Sequence, residues 1–293
     1  MVMGKGKGKG RGYTCTNPSN LLYLPMKNLL LLTFFFVCAS EMPAVAQDTL
    51  YYNSNWRDTT SDQASYFRIK IRSTTGWKVS DYFMMGKLQM TGQYSDDSFH
   101  VRQGEFVWYD SNGIADHRCA YVNNKENGPE TYYYDSGQVQ MTGTNKNDEA
   151  DGEWTGYYPS GKISGKAKFK KDKQISGTFY HEDGTRDKTI TEFWRDSEFP
   201  GGPPRWLRFL NKTLKYPDSA VNHDIEGTVV VEFIVSKEGK VYDLKVAHSV
   251  DKYLDEEALR VMRQSPDWTP AITGGILSES YKKQPIVFKL QSE

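Results

Sequence analysis

Eight glycines in two interleaved series set the strongest limit on how this chain can fold. Gly104, Gly128, Gly152 and Gly177 open four segments at intervals of 24, 24 and 25 residues, and Gly113, Gly137, Gly161 and Gly184 close them at intervals of 24, 24 and 23. Each segment holds aromatics: Phe106 to Tyr109, Tyr132 to Tyr134, Trp154 with Tyr157 and Tyr158, and Phe179-Tyr180. An earlier, degenerate copy runs Gly86-Lys87-Leu88-Gln89-Met90-Thr91-Gly92, nearly repeating Gly137-Gln138-Val139-Gln140-Met141-Thr142-Gly143. Self-similarity at a fixed short period is the mark of a repeat architecture. This period accommodates two strands of ordinary length and two turns, and the Asp-Ser-Gly and Pro-Ser-Gly steps are turn chemistry. Residues 63–195 are therefore expected to form a β-rich repeat array. It should be an elongated antiparallel meander, single-layered or rolled, held by contacts between neighbours. Its aromatics read as repeat core, with Trp108, Trp154 and Tyr157 the candidates for a binding surface if one face is exposed. Damage at a turn glycine should spread to adjacent repeats and spare the C-terminal region.

From residue 196 the pattern changes. Phe199-Pro200-Gly201-Gly202 leads into Pro203-Pro204, and proline suits the first turn of a helix, where its missing N–H has no partner to lose. Trp206, Leu207, Leu210 and Leu214 then recur at one-face helical spacing, and Pro217 stops the helix. After Ile225-Glu226-Gly227 comes a period-2 run at 228–235, in which Val229, Val231, Phe233 and Val235 share a face. Its expected hairpin partner is 241–249, placing Tyr242, Leu244 and Val246 on one face. Lys237-Glu238-Gly239-Lys240 forms the turn, with Gly239 supplying the positive φ. A second helix starts near Asp251 and aligns Leu254, Ala258, Val261 and Met262. Asp255, Glu256 and Glu257 read as a solvated, dipole-matched start to that helix. A last strand at 284–290 puts Ile286, Phe288 and Leu290 on one face. The sum is a small α+β domain, an antiparallel sheet with two helices on one face.

The ordered set Tyr216-Pro217 with Ala220, Ile225-Glu226-Gly227, the hairpin, Trp268-Thr269-Pro270 and the final strand resembles the C-terminal domain of the TonB family, over residues ~199–291. The G-x-[aromatic]-x-x-Y-x-x-G pattern upstream resembles MORN-type repeats, as found in an antitoxin family. The TonB resemblance implies a binding module without chemistry. Such a module serves energy transduction to outer-membrane transporters by capturing a short transporter segment through strand addition. It implies partner contact at Tyr216, Pro217, Ile286, Val287, Phe288, Lys289 and Leu290. Two departures separate this chain from an energy transducer: a repeat array stands where a Pro-rich rod is usual, and the only apolar segment lies at the amino terminus.

That segment reads as a secretory signal. Met26-Lys27-Asn28 precedes an apolar run at 29–39, and Ala44-Val45-Ala46 forms an A-x-A cleavage site before Gln47. The run is too short to span a bilayer. Residues 1–25, with their Gly-Lys alternation, look unlike a signal, which points to Met26 as the true start. A lipid on Cys38 is the alternative, disfavoured by Val37 where such sites want a small residue. The expected organisation is a leader over 1–46, a linker over 47–62, repeats over 63–195 and the TonB-like domain over 196–293. The location expected is the periplasm or envelope.

The chain has 37 basic and 37 acidic residues. Five of the former and one of the latter fall in the leader, so the remainder is slightly acidic and has no electrostatic footprint for nucleic acid. Cys119 is the lone cysteine after the leader and reads as a small buried residue. His100, His117, His181, His223 and His248 are scattered without metal-ligand spacing, and no nucleophile elbow, P-loop or dinucleotide fingerprint occurs. The expectation is a protein with no catalytic residues, cofactor or metal, whose C-terminal domain binds an envelope or outer-membrane protein by strand addition. The alternatives are a scaffold whose repeats carry the binding, an antitoxin-like inhibitor, and a homodimer that covers the edge itself.

Overall fold

The computed structural model describes residues 49–290, which belong to one compact unit. The expected signal segment, the cleavage site expected in it and Cys38 lie outside the described residues.

The array is a meander. Its strands are β1 (Thr49–Tyr52), β2 (Tyr66–Ser73), β3 (Gly76–Phe83), β4 (Leu88–Tyr94), β5 (Gly104–Tyr109), β6 (Ala115–Val122), β7 (Lys125–Tyr133), β8 (Val139–Lys146), β9 (Glu149–Ala150), β10 (Gly152–Tyr157), β11 (Ile163–Lys170), β12 (Lys173–Tyr180) and β13 (Arg186–Asp187). Each pairs antiparallel with its sequence neighbours in one 13-stranded sheet, with β9 folded back on β8 alone. Two kinds of turn alternate along it. One margin carries the expected glycine turns. The other carries Asn123-Asn124, Asn147-Asp148 and Lys171-Asp172, in which both residues have positive φ (49° and 69°, 53° and 71°, 51° and 64°). That is the two-residue hairpin turn that matches strand twist, built here without glycine.

Both margins are stapled from one repeat to the next. Asn124 N donates to Arg102 O (3.1 Å) while its Oδ1 accepts from Arg102 N (2.8 Å). Asp148 does the same with Glu126 (2.9 and 2.9 Å), and Asp172 with Ala150 (3.1 and 2.7 Å). At the glycine margin Tyr134 OH donates to Tyr157 O (2.6 Å) and Tyr158 OH to Tyr180 O (2.9 Å). These bonds give the neighbour-to-neighbour cohesion that a repeat array needs.

The inner row of the array explains the Met-Thr-Gly recurrence. Phe106 lies on Gly92 and Trp154 on Gly143, so closely that a Cβ on either glycine would stand 2.2 or 2.1 Å from the ring. The second repeat departs from this row by placing Glu130 where its neighbours have Phe106 and Trp154. Glu130 is buried and fully partnered. Its Oε1 lies 2.7 Å from His117 Nε2 and accepts from Tyr132 OH (2.8 Å), and its Oε2 accepts from Asn145 Nδ2 (2.5 Å). His117 is sandwiched between the rings of Trp108 and Tyr132, 5.1 and 4.3 Å away. Nearer the amino end a buried Arg68 makes a two-pronged ion pair with Asp81 (2.6 and 2.7 Å) beside Tyr52, Tyr94 and Phe99.

The C-terminal module contains α1 (Gly202–Thr213), α2 (Asp218–Val221), β14 (Gly227–Val235), β15 (Val241–His248), α3 (Lys252–Arg263), β16 (Ala271–Thr273), β17 (Ile276–Ser278) and β18 (Ser280–Phe288). Its main sheet has the order β15-β14-β18, all antiparallel. Val229, Val231, Phe233 and Val235 of β14 are fully buried against Trp206, Leu254, Ala258, Met262, Trp268, Ile286 and Phe288. Each such side chain contributes about 1.5–3 kcal/mol of transfer free energy. Asp251 caps α3 by accepting from Tyr253 N (2.8 Å). Trp268 explains Gly239 beyond its φ of 87°: a Cβ there would lie 2.1 Å from Trp268 O.

Several expectations are corrected. Leu207 is exposed, and Phe209 packs on the core in its place. Tyr242 does not share a face with Leu244 and Val246. Asp243 adopts a positive φ of 52° within a bulge, so Tyr242 pairs with Ile234 on the open face while Leu244 and Val246 turn inward. Glu257 is buried rather than solvated. The final strand starts at Ser280 and ends at Phe288. The two halves also meet outside the joining residues 186–199. The β16–β17 hairpin pairs with the joining segment through Arg195 and Ile272 (3.0 and 2.8 Å), and beyond that segment its tip rests on the array, where Ser164 Oγ donates to Gly274 O (2.6 Å).

Candidate functional site

A three-stranded sheet has two edges, and here they differ. β15 is broken by register shifts at two points along β14, by the positive-φ Asp243 and by an Asp243–Lys245 ion pair (2.9 Å). Bulges and charges of this kind blunt an edge. β18 runs opposite β14 without a shift, from Gly227↔Phe288 to Val235↔Ser280, and among the described residues no strand covers its other side.

Pro285 lies within this regular ladder, opposite Val230. Proline has no N–H, so an edge strand tolerates it where the missing donor faces outward. In an antiparallel strand the N–H and C=O of one residue point the same way, and successive residues alternate. The outward set is then Tyr281, Lys283, Pro285 and Val287, while residues 282, 284, 286 and 288 serve β14. Leu290 N, two residues beyond Phe288, donates to Glu226 on the β14 side, which agrees with that parity. The edge thus offers main-chain donors at Tyr281, Lys283 and Val287.

The side chains split the same way. Ile286 and Phe288 face the core with their side chains and serve β14 with their main chain, so neither is available to a partner. Val287 is 61% exposed, Lys289 is exposed, and Leu290 is half-buried. Tyr281 and Lys283 join the open face, where Glu232 accepts from Tyr281 OH and lies 3.7 Å from Lys283 Nζ. Partial burial, with Glu232 alongside, pushes the Tyr281 phenol up to about 12. Sequence reasoning missed these two residues because Lys282-Lys283-Gln284 is polar. Only the full-length partner β14 makes the segment a strand.

Tyr216 and Pro217 are brought to the far end of the same strand. The Tyr216 ring meets Phe288 edge-on at 5.8 Å, and its hydroxyl donates to Ile225 O (2.6 Å). Burial and the nearby Glu226 carboxylate hold its phenol above its usual pKa. Pro217 O accepts from Ala220 N and Val221 N (2.9 and 3.0 Å), which starts α2. Glu257 anchors the approach to this pair. It accepts from Lys215 N (2.6 Å) and binds Arg260 through both oxygens (2.6 and 2.7 Å), while Arg260 also donates to Thr213 O (2.6 Å). Tyr216 therefore adjoins the Phe288 end of β18, beside the exposed Val287 and Lys289, while Ile286 and Phe288 themselves belong to the core.

The array offers less. Trp154 is buried, and its Nε1 donates to Thr144 O (3.3 Å), so it is core and not a binding face. Trp108 is stacked on His117, and Tyr157 is half-buried, lining a shallow hollow with Arg118 and Tyr133. Cys119 is buried, and burial pushes its thiol up to about 12, far from the reactive thiolate range. Among the described residues no group of three or more His, Cys, Asp or Glu side chains is placed to hold a metal ion. No described helix is long and apolar enough to cross a membrane.

The geometry defines a small α+β module with a regular, uncovered sheet edge, carried on a β-repeat array. Residues 212–290 match the family model of the Gram-negative bacterial TonB protein C-terminal, and residues 126–147 and 150–171 match the MORN repeat variant. Among solved structures, the chain is similar to the NMR solution structure of Helicobacter pylori TonB-CTD. That match has 24% identity over 32% of this chain and 89% of that one, with a TM-score of 0.25. It is also similar to the crystal structure of a GtfA/B complex bound to UDP and GlcNAc. Identity there is 12% over 49% of this chain and 26% of that one, with a TM-score of 0.18. No curated protein matches the chain.

Proposed function

We propose that this is a non-enzymatic envelope protein whose C-terminal module binds a protein partner by adding an extended partner segment to β18. The observation that carries this reading is the unshifted nine-residue register of β18 on β14, with nothing paired to its other side among the described residues. Main-chain bonds supply affinity in this mode, and alternate side-chain contacts supply selectivity. Here those contacts are Val287, Lys283 and Tyr281, with Tyr216 and Lys289 at the far end. The TonB match at 212–290 supports an envelope setting and a partner that is itself an envelope or outer-membrane protein. Energy transduction in TonB-dependent transport is the role that match suggests. The periplasm, reached through the signal at the amino terminus, is the proposed location.

Hydrogen exchange of the full chain, with and without short extended peptides from outer-membrane transporters, tests the reading. Capture slows exchange at Tyr281, Lys283 and Val287 and leaves the bulged β15 unchanged. Protection confined to α3, or to β15, overturns it. So does a chain that sediments as a dimer with these amides already protected. The double change Lys283→Pro with Val287→Pro removes two outward donors and should abolish binding while keeping the β14 ladder.

A further inference from the structure

The third repeat breaks the array's own pattern at two inward positions. Where repeats one and two carry Trp108 and Tyr132, it carries Gly156, and where they carry His117 and Met141, it carries Gly165. Loss of a stacked aromatic should leave a gap in the Trp108–His117–Tyr132 row. The gap is filled by the tip of the β16–β17 hairpin. A Cβ on Gly156 would stand 2.0 Å from Gly274 O and 2.8 Å from Gly274 Cα, so no residue larger than glycine fits beneath the tip. From the hairpin side a Cβ on Gly275 would stand 2.6 Å from the Phe179 ring. Two polar bonds fix the seat. The fully buried Ser164 donates to Gly274 O (2.6 Å), and Gly275 N donates to Phe193 O (2.8 Å). Phe193 in turn packs with Trp154 and Phe169 of the array.

We infer that the third repeat is a socket built for the Gly274-Gly275 tip, and that its occupation makes the array the rigid mount of the C-terminal module. Three features point the same way. Glycine replaces the stacked aromatic at Gly156, beneath the tip, and Gly165 beside it leaves room for the Phe179 ring. The buried Ser164 hydroxyl is aimed at the tip carbonyl. The hairpin is continuous with β18, since β17 ends at Ser278 and β18 begins at Ser280. Ser280 Oγ and Lys282 Nζ also reach the joining segment, at Ser197 Oγ (2.6 Å) and Asp196 Oδ2 (2.7 Å). The array therefore decides where the β18 edge points, and tension on a captured strand would pass through the hairpin into the sheet. The purpose assigned to the mount rests on the strand-capture reading, but the seating does not and is tested without any peptide.

The test restores the repeat's own aromatic with Gly156→Tyr in the full chain. The expected result is exchange of the Gly275 amide accelerated about tenfold or more, as a local opening replaces a seated bond. The amides of β14 and of β6–β7 should keep their protection, and small-angle scattering should show a larger radius of gyration. Ser164→Ala is the milder variant, leaving the tip carbonyl without its buried donor. It should accelerate the same amide by a smaller factor with both halves folded. Unchanged Gly275 exchange in either folded variant overturns the socket. If Gly156→Tyr unfolds the array, Ser164→Ala alone decides. Peptide protection of β18 that survives in an unseated variant would leave capture standing on its own, and its loss in the native chain would leave the socket standing.

Discussion

In the C-terminal module the buried set is mostly apolar, with Val229, Val231, Phe233, Val235, Leu254, Val261 and Ile286 in it and Glu257 as its buried charge. In the array the buried set includes Arg68, Asp81, Glu130 and Asn145 alongside Phe106, Trp154 and Phe179. One region closes a small sheet with helices over a single core. The other runs a long sheet whose core is divided into clusters, one around Phe106 and one around Trp154, with charged groups paired between and beside them. The two are therefore vulnerable in different ways. A single core fails as a whole when a large side chain is cut. A divided core fails locally, and its buried charges are the points where one deletion leaves an unpaired partner.

Four variants probe that contrast, beginning with the most damaging. Phe233→Ala removes a fully buried ring from the one core and should cost about 4 kcal/mol. Chemical denaturation should show the module melting early while the array transition moves far less; equal shifts of both would erase the distinction. Asp81→Ala strands the Arg68 guanidinium beside three rings and should cost about 3 kcal/mol. The paired change Arg68→Met with Asp81→Leu should recover most of that loss, because no charge is then left buried. Gly161→Val places a β-branched residue at a turn with φ of 83° and should cost about 2 kcal/mol. The loss should be felt in the neighbouring repeats. Through the seated hairpin it should also reach the module, contrary to the expectation that the module is spared.

The smallest effect at neutral pH is a pH dependence, which sets in only under alkaline conditions. Burial raises the Cys119 thiol from its ordinary 9.0 to about 12. A raised acid pKa means that the unfolded chain releases its proton first. Stability from this group is therefore intact below pH 9 and falls as the pH climbs towards 12, by about 1.4 kcal/mol per pH unit. Cys119→Val should flatten that slope, and thiol reagents at pH 8 should label the native chain only on unfolding.

Much of this was legible in residue order. The 24-residue glycine period announced a two-strand, two-turn repeat, and the alternation at Val229, Val231, Phe233 and Val235 announced a half-buried strand. Both are short-range signals, in which a residue's neighbours in sequence are also its neighbours in space. The hairpin turns at Asn123-Asn124, Asn147-Asp148 and Lys171-Asp172 were less visible, because their positive φ is carried by Asn, Asp and Lys where glycine is the usual marker. The strip from Tyr216 to Val287 was suggested by resemblance, and which of its residues face outward was decided by structure. Whether Ile286 or Val287 faces outward depends on pleat parity, which Pro285 and the pairing to β14 set together. The bulge at Asp243 and the burial of Glu257 depend on what packs against them. So does the seat of Gly274 on Gly156: more than a hundred residues separate the two glycines, and each alone reads only as a turn residue or a degenerate repeat. Local pattern determined the strands, helices and turns, because those arise from periodicity and backbone preference. Which edge stayed open, and which gap was filled by which tip, was decided only by tertiary structure, because steric fit and main-chain pairing act between segments that no periodicity connects.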